Sequence, residues 1–151
     1  ILSAAGNWNS TKIKDRVNRG TTASPVYFIN DESKYDEENG NPEYRMNVSA
    51  RHTMNNDVTV SVRGNLYGPY KNASDSTLAT FQEYGRVTQW DADVSWDLSE
   101  AYRLTLGVNN VFDTMPDIDE VGESCCGRTY RSDSVQDWQG TYYYVRGQIS
   151  F

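Results

Sequence analysis

The sequence predicts an all-β protein, an antiparallel up-and-down transmembrane β-barrel fragment of about six strands. Three observations lead to this fold class. Apolar and polar residues alternate in six segments, the links between the segments are alternately long and short, and no run approaches the roughly 20 apolar residues of a membrane-spanning helix. A mean hydropathy of −0.74 is compatible with this fold, because only alternate residues of a barrel strand meet lipid.

The clearest alternation covers residues 89–98. One face carries Trp90, Ala92, Val94, Trp96 and Leu98, and the other carries Gln89, Asp91, Asp93, Ser95 and Asp97. The same two-faced pattern recurs in residues 2–8, 44–51, 58–67, 102–109 and 143–151. Most of these segments approach the 9 to 11 residues, roughly, that a tilted membrane-spanning strand needs.

The links differ sharply in length. Residues 54–57 and 99–101 are short and rich in turn-forming residues, whereas residues 14–42, 69–85 and 114–139 are long and polar. In an up-and-down sheet this order places every long link at one end. Short periplasmic turns opposite long extracellular loops are typical of bacterial outer-membrane barrels.

Composition excludes several other functions. The net charge of −7 leaves no basic cluster for nucleic acid. Asp91, Asp93 and Asp97 share one face of one strand, which favours a solvated wall over an acid and base pair. The acidic segment 117–123 lacks the calcium-loop pattern. We therefore predict no catalytic residue, no metal and no cofactor, and conclude that the chain is not an enzyme.

Four segments resemble the TonB-dependent receptors of bacterial outer membranes. Residues 104–113 read LTLGVNNVFD, followed by Pro116, and are similar to the penultimate strand of that family. Residues 140–151 read GTYYYVRGQISF and are similar to its last strand, which ends on an aromatic residue. Residues 40–45 (GNPEYR) and 63–68 (RGNLYG) resemble two earlier strand segments. The resemblance spans nearly the whole chain.

The resemblance implies a barrel of about 22 strands that is closed by an N-terminal plug domain. Residues 1–151 would supply its C-terminal part, with the plug and the earlier strands absent. The implied function is TonB-energised uptake of a scarce ligand, namely a siderophore, cobalamin or an oligosaccharide. The implied partners are the TonB complex, through the missing N-terminal region, the barrel-assembly machinery, outer-membrane lipid and the ligand itself.

Candidate functional residues fall into three groups. The barrel-assembly signal would be the alternating C-terminal residues Phe151, Ile149, Val145 and Tyr143, with Gly147 departing from the apolar pattern. Aromatic and charged residues of the long links are candidates for ligand binding: Tyr70, Tyr84, Asp117, Asp119, Arg128, Tyr130 and Trp138. Cys125 and Cys126 either form a vicinal disulfide or are a loop pair without a chemical role.

Two alternative functions fit the same strand pattern. One is a soluble β-sandwich module that binds carbohydrate through exposed Tyr and Trp. The other is a passive porin-like channel without a plug. Six strands leave two open edges, which lipid does not tolerate, so the membrane hypothesis expects further strands.

Overall fold

The structure is a computed structural model that describes residues 1–55, 57–74, 78–132 and 134–151. Its main element is a six-stranded antiparallel sheet in the order β1-β2-β3-β6-β7-β8. The strand bounds are β1 Leu2–Trp8, β2 Tyr44–Met54, β3 Val58–Tyr67, β6 Val87–Asp97, β7 Tyr102–Asn109 and β8 Tyr142–Ile149. A separate hairpin joins β4 Tyr70–Ala73 to β5 Phe81–Tyr84.

The predicted antiparallel meander is confirmed, but the sheet is not closed into a barrel. Each strand of the large sheet pairs with the one before it in the chain, apart from the β4–β5 hairpin inserted between β3 and β6. The short links after β2 and β6 therefore lie at one end, and the three long links lie at the other. Asn55 has a positive φ of 49° in the first short turn; the predicted turn residue Asn56 lies outside the described residues.

The two faces of the sheet differ in charge as predicted. The strand registers place every Asp and Arg of the six strands on one face, the polar face: Arg45, Arg51, Arg63, Asp91, Asp93, Asp97, Arg103 and Arg146. The opposite, apolar face holds Val60, Val94, Leu106 and Val145 side by side across four strands. Among the described strand residues, none on the apolar face is Asp, Glu, Lys or Arg.

Cross-strand side-chain pairs stabilise the polar face. The hydroxyl oxygens of Ser95 and Thr105 are 2.8 Å apart, and Arg63 forms an ion pair with Asp93 at 3.1 Å. Arg103 donates two hydrogen bonds to Asp97, one of them 2.9 Å long. Pairs of this kind contribute about 0.2–1 kcal/mol each. Two Arg side chains of the polar face are therefore paired with Asp residues of neighbouring strands.

The apolar face of the sheet is exposed, whereas a soluble sheet would bury it. Thr59 and Thr105 on the polar face are 6% and 8% exposed, whereas Trp96 and Leu106 on the apolar face are 52% and 53% exposed. The only other sheet among the described residues is the β4–β5 hairpin, which packs against α1, Asp31–Asn39. The apolar face is thus left uncovered by the residues that the structure describes.

Three aromatic rings lie across glycines of neighbouring strands. A Cβ added to Gly107 would come within 2.5 Å of two ring carbons and the hydroxyl oxygen of Tyr144. A Cβ at Gly64 would meet the ring of Trp90 at 2.8 Å, and one at Gly68 would meet Tyr44 at 2.9 Å. Glycine at these positions lets the ring lie flat on the backbone, a known device for fixing strand register.

The long links contain structure that the sequence analysis treated as loop. They include α1, the β4–β5 hairpin and α2, Glu120–Cys126. These three elements were not predicted. The alternation that predicts strands does not detect a nine-residue polar helix such as α1 or a hairpin of four-residue strands such as β4–β5. Among the described helices, none is long and apolar enough to cross a membrane.

Candidate binding surface in the long loops

The three long links pack together at one end of the sheet, and we call the described residues of 9–43, 68–86 and 110–141 the loop cap. Its first element is α1, which begins where the Asn30 side chain accepts a hydrogen bond from the Ser33 N–H at 2.7 Å. Asp31 and Glu32 in the first turn favour the positive end of the helix dipole. The helix ends at Gly40, whose N–H donates to the Asp36 carbonyl at 2.6 Å.

Carboxylates hold the loop cap together by accepting backbone N–H groups. Asp36 accepts from Ala73 at 2.8 Å, and Glu38 accepts from Ile13 at 2.7 Å. Asp117 accepts from Gly85 at 2.7 Å, and Asp113 accepts from Thr141 at 2.9 Å. Hydrogen bonds to an ionised acceptor are about twice as strong as neutral ones. These four carboxylates of the long links therefore have a structural role.

Tyr70 and Tyr84 form the small core of the loop cap. Their rings stack with centroids 4.6 Å apart, and they are only 8% and 4% exposed. They are the only buried aromatic side chains among the described residues. Burial raises the pKa of Tyr84 to about 12, although nearby Arg131 acts in the opposite direction. Both rings stabilise the cap rather than offer an open stacking surface to a ligand.

The other predicted binding residues lie around this core. Asp119 is buried and accepts from Arg128 at 2.6 Å, while Asp117 is exposed at the surface. Tyr130 packs edge-on against the exposed Trp138, with ring centroids 6.3 Å apart. Asp119 is therefore held by Arg128, whereas Asp117 lies at the surface of the loop cap and accepts from the Gly85 N–H. Trp138 is the one predicted aromatic residue that presents its ring to solvent.

Asn110 is the junction between the sheet and the loop cap. Its φ is 50°, and its side chain bonds the backbone of Thr114 twice, at 2.8 and 2.9 Å. Its N–H donates to Asp91 at 3.0 Å, and its carbonyl accepts from the Thr141 hydroxyl at 2.6 Å. Asn tolerates this left-handed backbone better than most residues. The NVFD segment therefore ties β6, β7 and the approach to β8 together.

The C-terminal residues that would form the assembly signal lie on the edge strand. Tyr143, Val145 and Ile149 sit on the apolar face of β8, opposite Val108, Leu106 and Tyr102 of β7. All three are well exposed, as is Phe151 just beyond the strand. Only β7 pairs with β8 among the described residues, so its outer edge is open to another strand.

Cys125 and Cys126 are joined in a vicinal disulfide with an S–S distance of 2.12 Å. The pair closes α2 and is followed by Gly127, which has a positive φ of 66°. Both cysteines are exposed. The disulfide therefore lies on the surface of the third long link.

Several residues of this surface were missed by sequence reasoning. Gln82 donates to the Ile118 carbonyl and accepts from the Glu120 N–H at 3.1 Å, and it has no sequence signal. Asp36 acts from within α1, a helix that was not predicted although the sequence contains signals for it. Asn30, followed by two acidic residues, is a helix-start pattern, and Lys34 and Glu38 are spaced as a helical ion pair.

Comparison with known proteins gives no match: no protein-family model matches the chain, and no curated protein or solved structure matches it either. The function is therefore inferred from the residues and their geometry.

Proposed function

We propose that the chain is part of the wall of an outer-membrane β-barrel receptor that takes up a scarce nutrient with energy from TonB, and that it has no catalytic role. The observation that carries the proposal is the arrangement of the two faces. On the charged face, Arg63 pairs with Asp93 and Arg103 pairs with Asp97, while the opposite, exposed face carries no Asp, Glu, Lys or Arg among the described residues of the six strands. Lipid is the environment that fits such an exposed face.

Strand lengths support a membrane-spanning wall. β2 and β6 each have 11 residues and β3 has 10. At about 3.3 Å per residue and a tilt of roughly 45°, an 11-residue strand rises about 25 Å, the height of the apolar band of outer-membrane barrels. Trp8 and Tyr44 lie at the loop end of the apolar face, and Trp96 and Tyr102 lie near the turn end. Aromatic residues at both ends suit the two membrane interfaces.

The TonB-dependent family is proposed on the sequence resemblance, to which the Asn110 junction adds a physical reason. The NVFD segment sets the angle at which β7 leaves the sheet and the third long link begins. A wall with large structured loops on one side fits a receptor that captures ligand before transport. The partners would then be lipid, the barrel-assembly machinery, TonB and the ligand.

Tryptophan quenching tests the membrane placement. A variant that keeps only Trp96, with the other three tryptophans changed to Phe, should be quenched by lipids brominated along their acyl chains. A matched variant that keeps only Trp138 should be quenched by aqueous iodide instead. If Trp96 is reached by iodide and not by brominated lipid, the apolar face does not meet the membrane and the proposal fails.

Conductance separates a receptor from a passive channel. The full-length protein in a planar bilayer should give no steady ion current, because a plug closes the lumen of a receptor barrel. A large, steady current from the full-length protein would instead favour the porin-like alternative. A plug domain encoded ahead of residue 1 would support the receptor independently.

A further inference from the structure

A cleft of about 230 Å³ lies where the loop cap meets the end of β1. Its walls come from the last residue of β1 and the three residues after it, from the C-terminal end of α1, and from the start of β4. None of the residues predicted for ligand binding lines it except Tyr70. The cleft is distinct from the stacked tyrosine core, since Tyr70 is buried behind it.

Trp8 provides an open aromatic surface at this cleft. Its ring stacks on Tyr44 with centroids 5.6 Å apart and an angle of 24° between the planes. The side chain is nevertheless 74% exposed. One ring face is therefore held by Tyr44 and the other is open. A fixed, exposed ring binds a flat partner at little cost in side-chain entropy.

The polar lining consists largely of groups that both donate and accept hydrogen bonds. Asn9, Asn39 and Asn41 contribute amides, and Ser10 and Thr11 contribute hydroxyls. The Asn39 amide is fixed because it donates to the Tyr35 carbonyl at 2.9 Å. A ligand that complements this lining must itself carry both donors and acceptors. An ammonium ion, which only donates, would leave the amide N–H groups unmatched.

Charge at the cleft disfavours an anion. Glu38 is occupied by Lys34 and by the Ile13 N–H, each at 2.7 Å, and these bonds lower its pKa. Lys71 is paired with Glu83. Glu37 and Glu43 also line the cleft, and neither forms an ion pair among the described residues. Their carboxylates would repel an anion but accept hydrogen bonds from neutral hydroxyl groups.

We propose that this cleft binds an uncharged sugar ring, which packs its C–H face on Trp8 and its hydroxyls on the asparagine and glutamate side chains. The volume is below the ~300–1,000 Å³ of pockets for drug-sized ligands, so it suits one or two rings rather than a large metal chelate. The inference deepens the proposed receptor function and rests on it for the placement of the loop cap outside the cell. The sugar comes either from a free oligosaccharide or from the headgroup of a neutral glycolipid.

Titration of the membrane-inserted protein with maltose and with cellobiose tests the cleft. At least one should give a saturable heat of binding in isothermal titration calorimetry, a readout that the variants without Trp8 retain. Trp8→Ala should weaken that binding about tenfold or more, as expected for loss of an aromatic anchor. Trp8→Phe should retain most of it, and Trp138→Ala, an exposed ring outside the cleft, should leave it unchanged. Vesicles with and without digalactosyl diacylglycerol distinguish the two sources.

Two results would overturn the sugar proposal. One is the absence of saturable binding of either disaccharide and of the glycolipid. The other is a Trp8-dependent response to spermidine or to ferric citrate that the disaccharides do not displace. Quenching of Trp96 by brominated lipid does not depend on the cleft. The membrane proposal can therefore be supported when the sugar proposal fails, and the sugar proposal can be supported when the membrane proposal fails.

Discussion

The sheet and the loop cap differ most clearly in their balance of acidic and basic residues. The strands and short turns contain 5 basic and 5 acidic residues, whereas residues 9–43, 68–86 and 110–141 contain 9 basic and 16 acidic residues. The whole net charge of −7 therefore resides in the long links. In the sheet, two Arg–Asp ion pairs bridge neighbouring strands. The cap has four ion pairs, and four of its carboxylates also accept backbone N–H groups. Regular backbone pairing makes such acceptors unnecessary in the sheet, but irregular loops need them.

The two regions also differ in where they place aromatic residues. The sheet exposes Trp96 and Tyr143, while the cap buries Tyr70 and Tyr84 against each other. A soluble domain would bury its apolar sheet face and expose its loops. Here the described residues leave the apolar sheet face exposed as well, which is why we propose lipid as the surroundings of the sheet and water as those of the cap.

The largest effect is expected from a charge on the apolar face. Val62→Arg places a cation between Ala92 and Ala50 near the middle of that face, and we expect a loss of about 2–4 kcal/mol in the free energy of unfolding from lipid vesicles. The matched variant Ser61→Arg, one residue along β3, faces Asp93 and should cost far less. Urea unfolding of both proteins in vesicles measures the difference. Equal losses of unfolding free energy in the two variants would show that the two faces do not meet different surroundings.

The next effect tests a contact within the sheet. Gly107→Val forces Tyr144 off the β7 backbone and should destabilise the protein by about 1–3 kcal/mol through overpacking. The control is Gly147→Val on the neighbouring strand, where an added Cβ meets nothing within 4 Å. Unfolding midpoints of both variants provide the comparison. If Gly107→Val does not lower the unfolding midpoint, the Tyr144 ring does not fix the strand register.

The junction of the two regions can be weakened at one residue. Asn110→Ala removes two bonds to Thr114 and places a less tolerant residue at φ 50°, so we expect a loss of about 1–2 kcal/mol. Asn110→Gly restores the backbone freedom but not the two hydrogen bonds. Its stability should therefore lie between those of the unchanged protein and Asn110→Ala. Proteolysis of residues 110–141 should accelerate in the same order. If Gly and Ala behave alike, backbone strain makes no contribution.

The smallest effect concerns the cap alone at alkaline pH. Burial raises the pKa of Tyr84 from its ordinary value of 10.0 to about 12. The neutral ring is therefore favoured in the folded state, and this contribution is complete below pH 10 and lost as the pH rises through about 12. Ultraviolet titration of tyrosinate should lose one late step in Tyr84→Phe. The exposed-face variant Tyr143→Phe should keep it.

Sequence reasoning succeeded where a strong period was present. Alternation around Trp90 to Leu98 placed β6 within two residues, and the order of link lengths gave the meander correctly. It failed inside the long links, because the hairpin of Tyr70 and Tyr84 forms only when residues far apart in the chain meet. Ala73 needs Asp36, and Gly85 needs Asp117, at separations of 37 and 32 residues.

The candidate binding residues illustrate the same limit. Aromatic identity in a loop predicts contact with a ligand, but burial decides whether a ring is available. Tyr84 and Trp138 have similar sequence surroundings, yet one is 4% exposed and the other is open to solvent. Trp8 was assigned to the apolar face by its period, and only the approach of α1 and β4 made it part of a cleft.

The sequence by itself determined the six strands, the polar and apolar faces and the end at which the long links gather, since these follow from side-chain period and chain order. Only the tertiary structure decided which acids are structural, which tyrosines are buried and where a cleft opens. Those properties depend on contacts between the three long links, and no local pattern encodes them.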